Sequence, residues 1–291
     1  MSVKYFVRAN TSSGLSNRIE SNLKGVEKIY IISGNSSFVK SMFIGRIAAY
    51  FKEHGECIEY IFSPFYNENY DGIIVRQKKI AVLDEDCLKN IKLNYDCAVI
   101  DTDICIENNI ISEIKSLNDR ITGNYSIVYK KYEKAKRIHD EWENLYIKNM
   151  NLTRLNSFND YTITKILDVP AKKDPASVSE RFFGSVYAKG HINYIDNLTK
   201  GITKRYFIKG RPGTGKSTFL KKLSAALTEK GFDIEQYYCS FDPHSLDMVV
   251  SQLSGKIFAL FNIKPTIIRK NMLSICVRVK LNTSNYDTSY K

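Results

Sequence analysis

Residues 5–74 and 181–250 are two copies of one segment. A shift of 176 positions aligns them without a gap and leaves 20 of the 70 positions identical. Gly14 falls on Gly190, Lys24–Gly25 on Lys200–Gly201, Tyr30 on Tyr206, Gly34 on Gly210 and Lys40–Ser41 on Lys216–Ser217. Further along, Phe65 meets Phe241 and Asp71 meets Asp247. Self-similarity over such a length predicts one supersecondary unit built twice, so any fold proposed for one copy has to serve the other.

The second copy carries the pattern G-x-x-x-x-G-K-[ST] in "KGRPGTGKST", with Gly210, Gly215, Lys216 and Ser217 at its fixed positions. The apolar run "RYFI" before it suits a buried strand, and "DIEQYYCS" after it suits another. Between them Phe219, Leu220, Leu223 and Leu227 recur at helical spacing, and Gly231 stands where a helix would stop. Strand, glycine loop, helix, strand is the setting this motif requires. Glycines let the loop curl so that successive N–H groups point inward at an anion beside the positive end of the helix. In that chemistry Gly210, Gly213, Thr214, Gly215, Lys216, Ser217 and Thr218 form the binding loop. Lys216 is the candidate for the β- and γ-phosphates, Ser217 for Mg²⁺ and Thr218 for the α-phosphate.

In the first copy the corresponding stretch is "GNSSFVKSMF". Ser36, Ser37, Phe38 and Val39 replace Pro212, Gly213, Thr214 and Gly215. A β-branched residue resists positive φ, and its side chain crowds the space a phosphate would enter. The expectation is a loop retained structurally but without catalytic use.

A neighbouring strand must also bring an acid, which holds Mg²⁺ through its water shell. The first copy offers Asp84 in "KKIAVLDED" and Asp101 in "CAVIDTD". The second offers none in register, and its best substitute is Asp242 after "YYCS". Asp242 either contributes to the metal or substrate site or caps the turn before Pro243. The connector at 109–168 reads as helical. Val128, Tyr132, Ala135, Ile138, Trp142 and Leu145 fall on one stripe, and "ITGNYS" separates this helix from a shorter one before it. Trp142 reads as packing and His139 as surface, with a lid over a nucleotide as the alternative. "LDVPAKKDPAS" reads as an exposed linker.

Composition narrows the classes. The six cysteines include no C-x-x-C pair, which argues against zinc and against a disulfide framework and fits a reduced cytoplasm. No stretch approaches a membrane span, and "MSVKYFVRAN" has no signal-like apolar core. The formal net charge is +12, of which the last 28 residues hold +5 and the remaining +7 is spread without an obvious cluster, so charge alone makes a weak case for nucleic acid.

The stretches "YFVRANTSSG", "NLKGVEKIYIISG", "AKRIHDEWENLYIKNMN", "DNLTKGITKRYFIKGRPGTGKST" and "YYCSFDPHSLDMVV" resemble a group of two-repeat P-loop ATPases of spore-forming Firmicutes, often labelled nucleotide kinases. The resemblance covers about residues 3–250. It implies an α/β fold with two P-loop NTPase-type repeats, each a parallel sheet with flanking helices, joined by a helical hairpin. The expected division is 1–107 for the degenerate repeat, 108–178 for connector and linker, and 179–291 for the intact repeat. The last of these departs from the group in its tail, 251–291, which reads as aberrant or truncated: where the group has a strand ending in Asp, this chain has Ala259 or Leu260. The expected ligands are ATP and Mg²⁺, with ATP preferred over GTP by resemblance. The expected activity is ATP hydrolysis or phosphoryl transfer to an acceptor the sequence does not identify. A nucleotide-binding module without turnover and a basic nucleic-acid-associated ATPase are the alternatives.

Overall fold

The computed structural model describes residues 2–66, 68–92, 94–187, 190–202, 204–253, 256–263 and 276–280. In chain order the strands and helices are β1 Val3–Tyr5, β2 Arg8–Thr11, β3 Gly14–Asn17, β4 Lys28–Ser33, α1 Ser37–Glu53, β5 Glu59–Phe62, β6 Tyr70–Val75, β7 Ile80–Asp84 and β8 Asp96–Asp101. Two helices follow, α2 Asn108–Lys148 and α3 Leu152–Ile166. The remainder is β9 Val178–Phe182, β10 Gly184–Tyr187, β11 Gly190–Asn193, α4 Ile195–Leu198, β12 Lys204–Lys209, α5 Lys216–Glu229, β13 Ile234–Tyr238, β14 Leu246–Leu253, β15 Lys256–Ile263 and β16 Cys276–Lys280.

The protein is mixed α/β, and its two six-stranded sheets have one topology. The first runs β1-β5-β6-β7-β4-β8 and the second β9-β13-β14-β15-β12-β16. Each strand takes the place its counterpart holds in the other sheet. The hairpins β2–β3 and β10–β11 repeat the correspondence at the shift of 176. The sheets are not wholly parallel as expected. β4 runs parallel to β7 and β8, and β1 to β5, but β6 is antiparallel to both neighbours. The reason lies in chain length. The connections 63–69 and 76–79 are too short for the crossover that a parallel neighbour requires.

One helix of each copy packs on its own sheet. Ile44 and Ala48 of α1 join Ile32, Ile58, Ile73, Val75 and Val82 in a buried cluster. Phe219, Leu220, Leu223 and Leu227 of α5, the stripe expected from spacing, join Tyr206, Ile208, Ile234, Leu246 and Val249. Burying a large apolar side chain stabilises by about 1.5–3 kcal/mol, so these clusters outweigh any local propensity at the helix ends.

By contact the chain divides into two units. The first contains residues 1–133, 180–198 and 240–243, and the second 134–179, 199–239 and 244–291. The hairpin of the second repeat therefore belongs with the first unit. The division falls within α2, between Glu133 and Lys134.

Two expectations for the connector are corrected. Residues 121–126, "ITGNYS", do not end a helix: α2 runs unbroken for 41 residues. Gly123 is tolerated within it, Ser126 Oγ donates back to the Thr122 carbonyl at 3.2 Å, and Tyr125 packs edge-on against Phe65. Nor is the apolar stripe buried: Ile138, Trp142 and Leu145 are 60%, 47% and 62% exposed. Helical spacing marks an amphipathic face; it does not supply the surface that would cover it. Among the described residues no helix is long and apolar enough to cross a membrane.

A methyl group at Gly123 would meet no atom within 4 Å. Gly123→Ala should therefore stabilise the protein by about 0.5–1 kcal/mol, since glycine costs a helix interior that much relative to alanine. A rise in the urea midpoint at unchanged slope would bear this out, and a fall would refute it.

Candidate functional site

The second loop leaves β12 at Lys209 and enters α5 at Lys216. Gly213 and Gly215 sit at φ +75° and +81°, the left-handed region that a β-carbon disfavours. A β-carbon on Gly210 would lie 2.3 Å from Thr214 Oγ1, so the motif's first glycine is needed for space. Thr214 and Lys216 are buried. Thr214 Oγ1 and Lys216 Nζ both donate to the Arg211 carbonyl at 2.7 Å, so the lysine folds back along the loop. Ser217 Oγ accepts from the Leu246 amide at 2.9 Å, and Thr218 is exposed. The loop runs directly into the N-terminus of α5, a 14-residue helix, and so lies at the positive end of its dipole.

Helices α2 and α3 line the same loop. The Gly213 N–H donates to Glu143 Oε1 at 2.8 Å, and Arg211 Nη1 to Tyr146 Oη at 2.9 Å. A β-carbon on Gly213 would lie 2.5 Å from the Glu143 carbonyl oxygen, and one on Gly215 2.9 Å from Leu155 Cδ2. Trp142 meets Tyr146 edge-on at 6.1 Å between ring centres. Ligand atoms of His139, Asp140 and Glu143 come within 4.8 Å of one another, but Lys136 already holds Asp140 and the Gly213 amide holds Glu143.

Among the described residues of the second sheet, no acid takes the register positions that Asp84 and Asp101 hold in the first. In the first sheet Ile32 pairs with Asp84 and Ser33 with Asp101. In the second, Ile208 pairs with Asn262 and Lys209 with Lys280. The strand is offset by two residues, so Asn262, rather than Ala259 or Leu260, holds the position of Asp84. The rest of the tail, at 254–255, 264–275 and 281–291, lies outside the described residues. Lys216 and Asp242 fall in different units, and the segment 240–243 bonds to the first through the Ser12 amide on the Phe241 carbonyl at 2.8 Å.

In the first repeat the loop is not retained as a loop. With no glycine at 36–39 to take positive φ, α1 starts at Ser37, three residues earlier in register than α5. Ser36 caps it, its Oγ accepting from the Val39 amide at 3.3 Å. The two preceding amides meet the chain's own carboxylates: Gly34 N–H donates to Glu85 Oε1 at 3.0 Å and Asn35 N–H to Asp103 Oδ1 at 2.8 Å. Ser41 Oγ keeps the bond its counterpart makes, accepting from the Tyr70 amide at 2.9 Å.

From this helix Lys40 joins a charge cluster, buried at Lys40, Asp84, Arg8 and Asp71 and open at Glu85 and Asp86, that the sequence shows only in part. Lys40 Nζ sits 2.8 Å from Asp84 Oδ1 and 3.6 Å from both Glu85 and Asp86, and Arg8 pairs with Asp71 at 2.8 Å. They border a cleft of about 620 Å³ walled by Phe65, Tyr125 and Tyr129. The identity of Asp71 with Asp247 was a signal for that acid; Arg8, which aligns with Gly184, carried none. Burial pushes the Asp84 carboxyl up to about 6, against the lowering pull of Lys40 and with help from Asp71 and Asp86. Lys40 is raised by Asp84 and the other carboxylates, which outweigh the opposing effect of its burial.

Comparison with family models, with curated proteins and with solved structures finds no match to this chain.

Because the native state holds the Asp84 proton more tightly than the unfolded chain does, this group favours folding below its ordinary value of 3.8. That contribution is withdrawn as pH rises through about 6. Lys40→Met removes the charge that holds the carboxyl down, so the Asp84 midpoint, followed by carboxyl carbon NMR, should move above its present value. The variant should lose about 3 kcal/mol of stability near pH ~8 and less near pH ~5, where the aspartate is closer to neutral. An unmoved midpoint would show that Lys40 does not set it.

Proposed function

We propose that this chain is an ATP-binding P-loop protein that works through the loop at Gly210–Thr218, as the resemblance to two-repeat P-loop ATPases suggests. The observation that carries the reading is the Gly213 amide on a carboxylate oxygen, within a loop in which Gly213 and Gly215 sit at positive φ before a helix N-terminus. A group of that shape accepts an anion, and a polyphosphate is the anion that the lysine and hydroxyls beside it suit. Lys216 would neutralise the β- and γ-phosphates, and Thr218 would lie near the α-phosphate. ATP fits these residues. For Mg²⁺ the chain offers Ser217, whose hydroxyl oxygen already accepts one amide hydrogen, so phosphate oxygens and water would complete its shell.

A second reading, a nucleotide-binding module without turnover, is favoured by one specific observation. Asn262 and Lys280 stand in register where the first repeat has Asp84 and Asp101. A neutral amide and a cation do not replace two carboxylates beside a metal. No comparable observation favours nucleic acid. An ATPase or a small-molecule kinase would need its acid from elsewhere in the fold.

Calorimetric titration of Mg²⁺-ATP should show one site per chain, lost in Lys216→Ala. Binding that survives that substitution would place the nucleotide elsewhere and overturn the reading. Phosphate release then separates the two versions: turnover supports the ATPase, and saturable binding without release supports the silent module.

A further inference from the structure

We propose that Glu143 is an internal anion that latches the second phosphate loop, so that nucleotide enters by displacing it. This rests on the reading of Gly210–Thr218 as the nucleotide loop and adds how that loop is regulated. The Glu143 carboxylate accepts the Gly213 N–H at 2.8 Å. In a loop of this kind that amide is one of those that would turn toward a phosphate oxygen. A carboxylate and a phosphate cannot share the donor, and two anions in one small volume repel each other.

The contact is built rather than incidental. Tyr146, one helical turn on from Glu143, ties α2 to the loop a second time through Arg211 at 2.9 Å, with the guanidinium 6.0 Å from its ring centre. Gly213 brings the loop so near the helix that a β-carbon there would meet the Glu143 carbonyl oxygen at 2.5 Å and the Tyr146 β-carbon at 3.2 Å. Leu155 of α3 closes on Gly215 in the same way. The glycines that free the loop for phosphate are thus the residues that let the two helices lie against it.

The first repeat shows the same chemistry in closed form. There Glu85 and Asp103 hold the Gly34 and Asn35 amides, while Ser37, Phe38 and Val39 have been drawn into α1. Carboxylates satisfy loop amides in both repeats. In the second, the carboxylate comes from a helix outside the sheet, and the loop keeps its open conformation. Release therefore means moving the Glu143–Tyr146 turn away from Arg211 and Gly213.

The test is calorimetry on the full chain with two probes, inorganic pyrophosphate and Mg²⁺-ATP. Wild type, Glu143→Ala, Glu143→Gln and the double variant with Lys216→Ala are compared, each checked by thermal melting. Losing one charge-assisted hydrogen bond should tighten both probes by roughly tenfold to a hundredfold in Glu143→Ala. Glu143→Gln, which keeps an acceptor oxygen without the charge, should fall between wild type and alanine. The gain should vanish in the double variant. Equal or weaker binding by Glu143→Ala would overturn the latch while leaving the ATP site standing. Unchanged binding with lost turnover would do the same and make Glu143 a reacting group. Failure of wild type and Glu143→Ala alike to bind either probe would remove the nucleotide reading and the latch together.

Discussion

A strand that turns directly into a helix leaves backbone N–H groups with no partner inside the helix, all pointing to one side. Buried without a partner, such groups cost a few kcal/mol in total, so something with negative charge or a lone pair must meet them. Both repeats of this protein are organised by that requirement. In the first, Ser36 caps the helix and Glu85 and Asp103 take the amides before it. In the second, positive-φ glycines hold the loop open and Glu143 takes one amide. The sheets behind the two loops share a strand order, so the difference lies in how the same demand is met.

The contrast explains why Lys40 and Lys216 do different things at matching positions. Once α1 begins at Ser37, Lys40 lies a turn inside the helix and reaches Asp84, where it anchors a buried cluster. Lys216 begins α5 and bends back to the Arg211 carbonyl. A buried ion pair is weak evidence of net stability, because desolvation offsets most of the attraction. Removing one member is another matter, since the remaining charge is stranded. Lys40 is thus held in place after the loop around it has closed, by the carboxylates that would be left behind.

The duplication made much of the fold legible. Two copies of one pattern sharpen each other, and the stripe Phe219, Leu220, Leu223 and Leu227 placed α5 correctly on its sheet. Strand direction was less accessible: an apolar run reads the same whether it enters parallel or antiparallel, and only the short connections to β6 decide. The place of the missing acid moved to Asn262 because the gapless alignment stops at 250, before the two-residue offset appears in β15. Glu143 was invisible for another reason. A glutamate on a charged helix is the commonest of surface features, and no local pattern announces that a loop some 70 residues later will approach it. The first loop departs from the expected retained turn because a stretch with no glycine at 36–39 has an easier option than strain at Val39, which is to become helix.

Trp142 is the chain's one tryptophan, half exposed on α2 and edge-on to the tyrosine that Arg211 holds. An indole's light emission responds to its hydration and to the rings beside it. The molecule thus carries its own optical label, needing no added dye, on the turn of helix that lies against the loop. Among 19 tyrosines its signal is separable by colour, so the state of that contact can be followed in time in the unmodified chain.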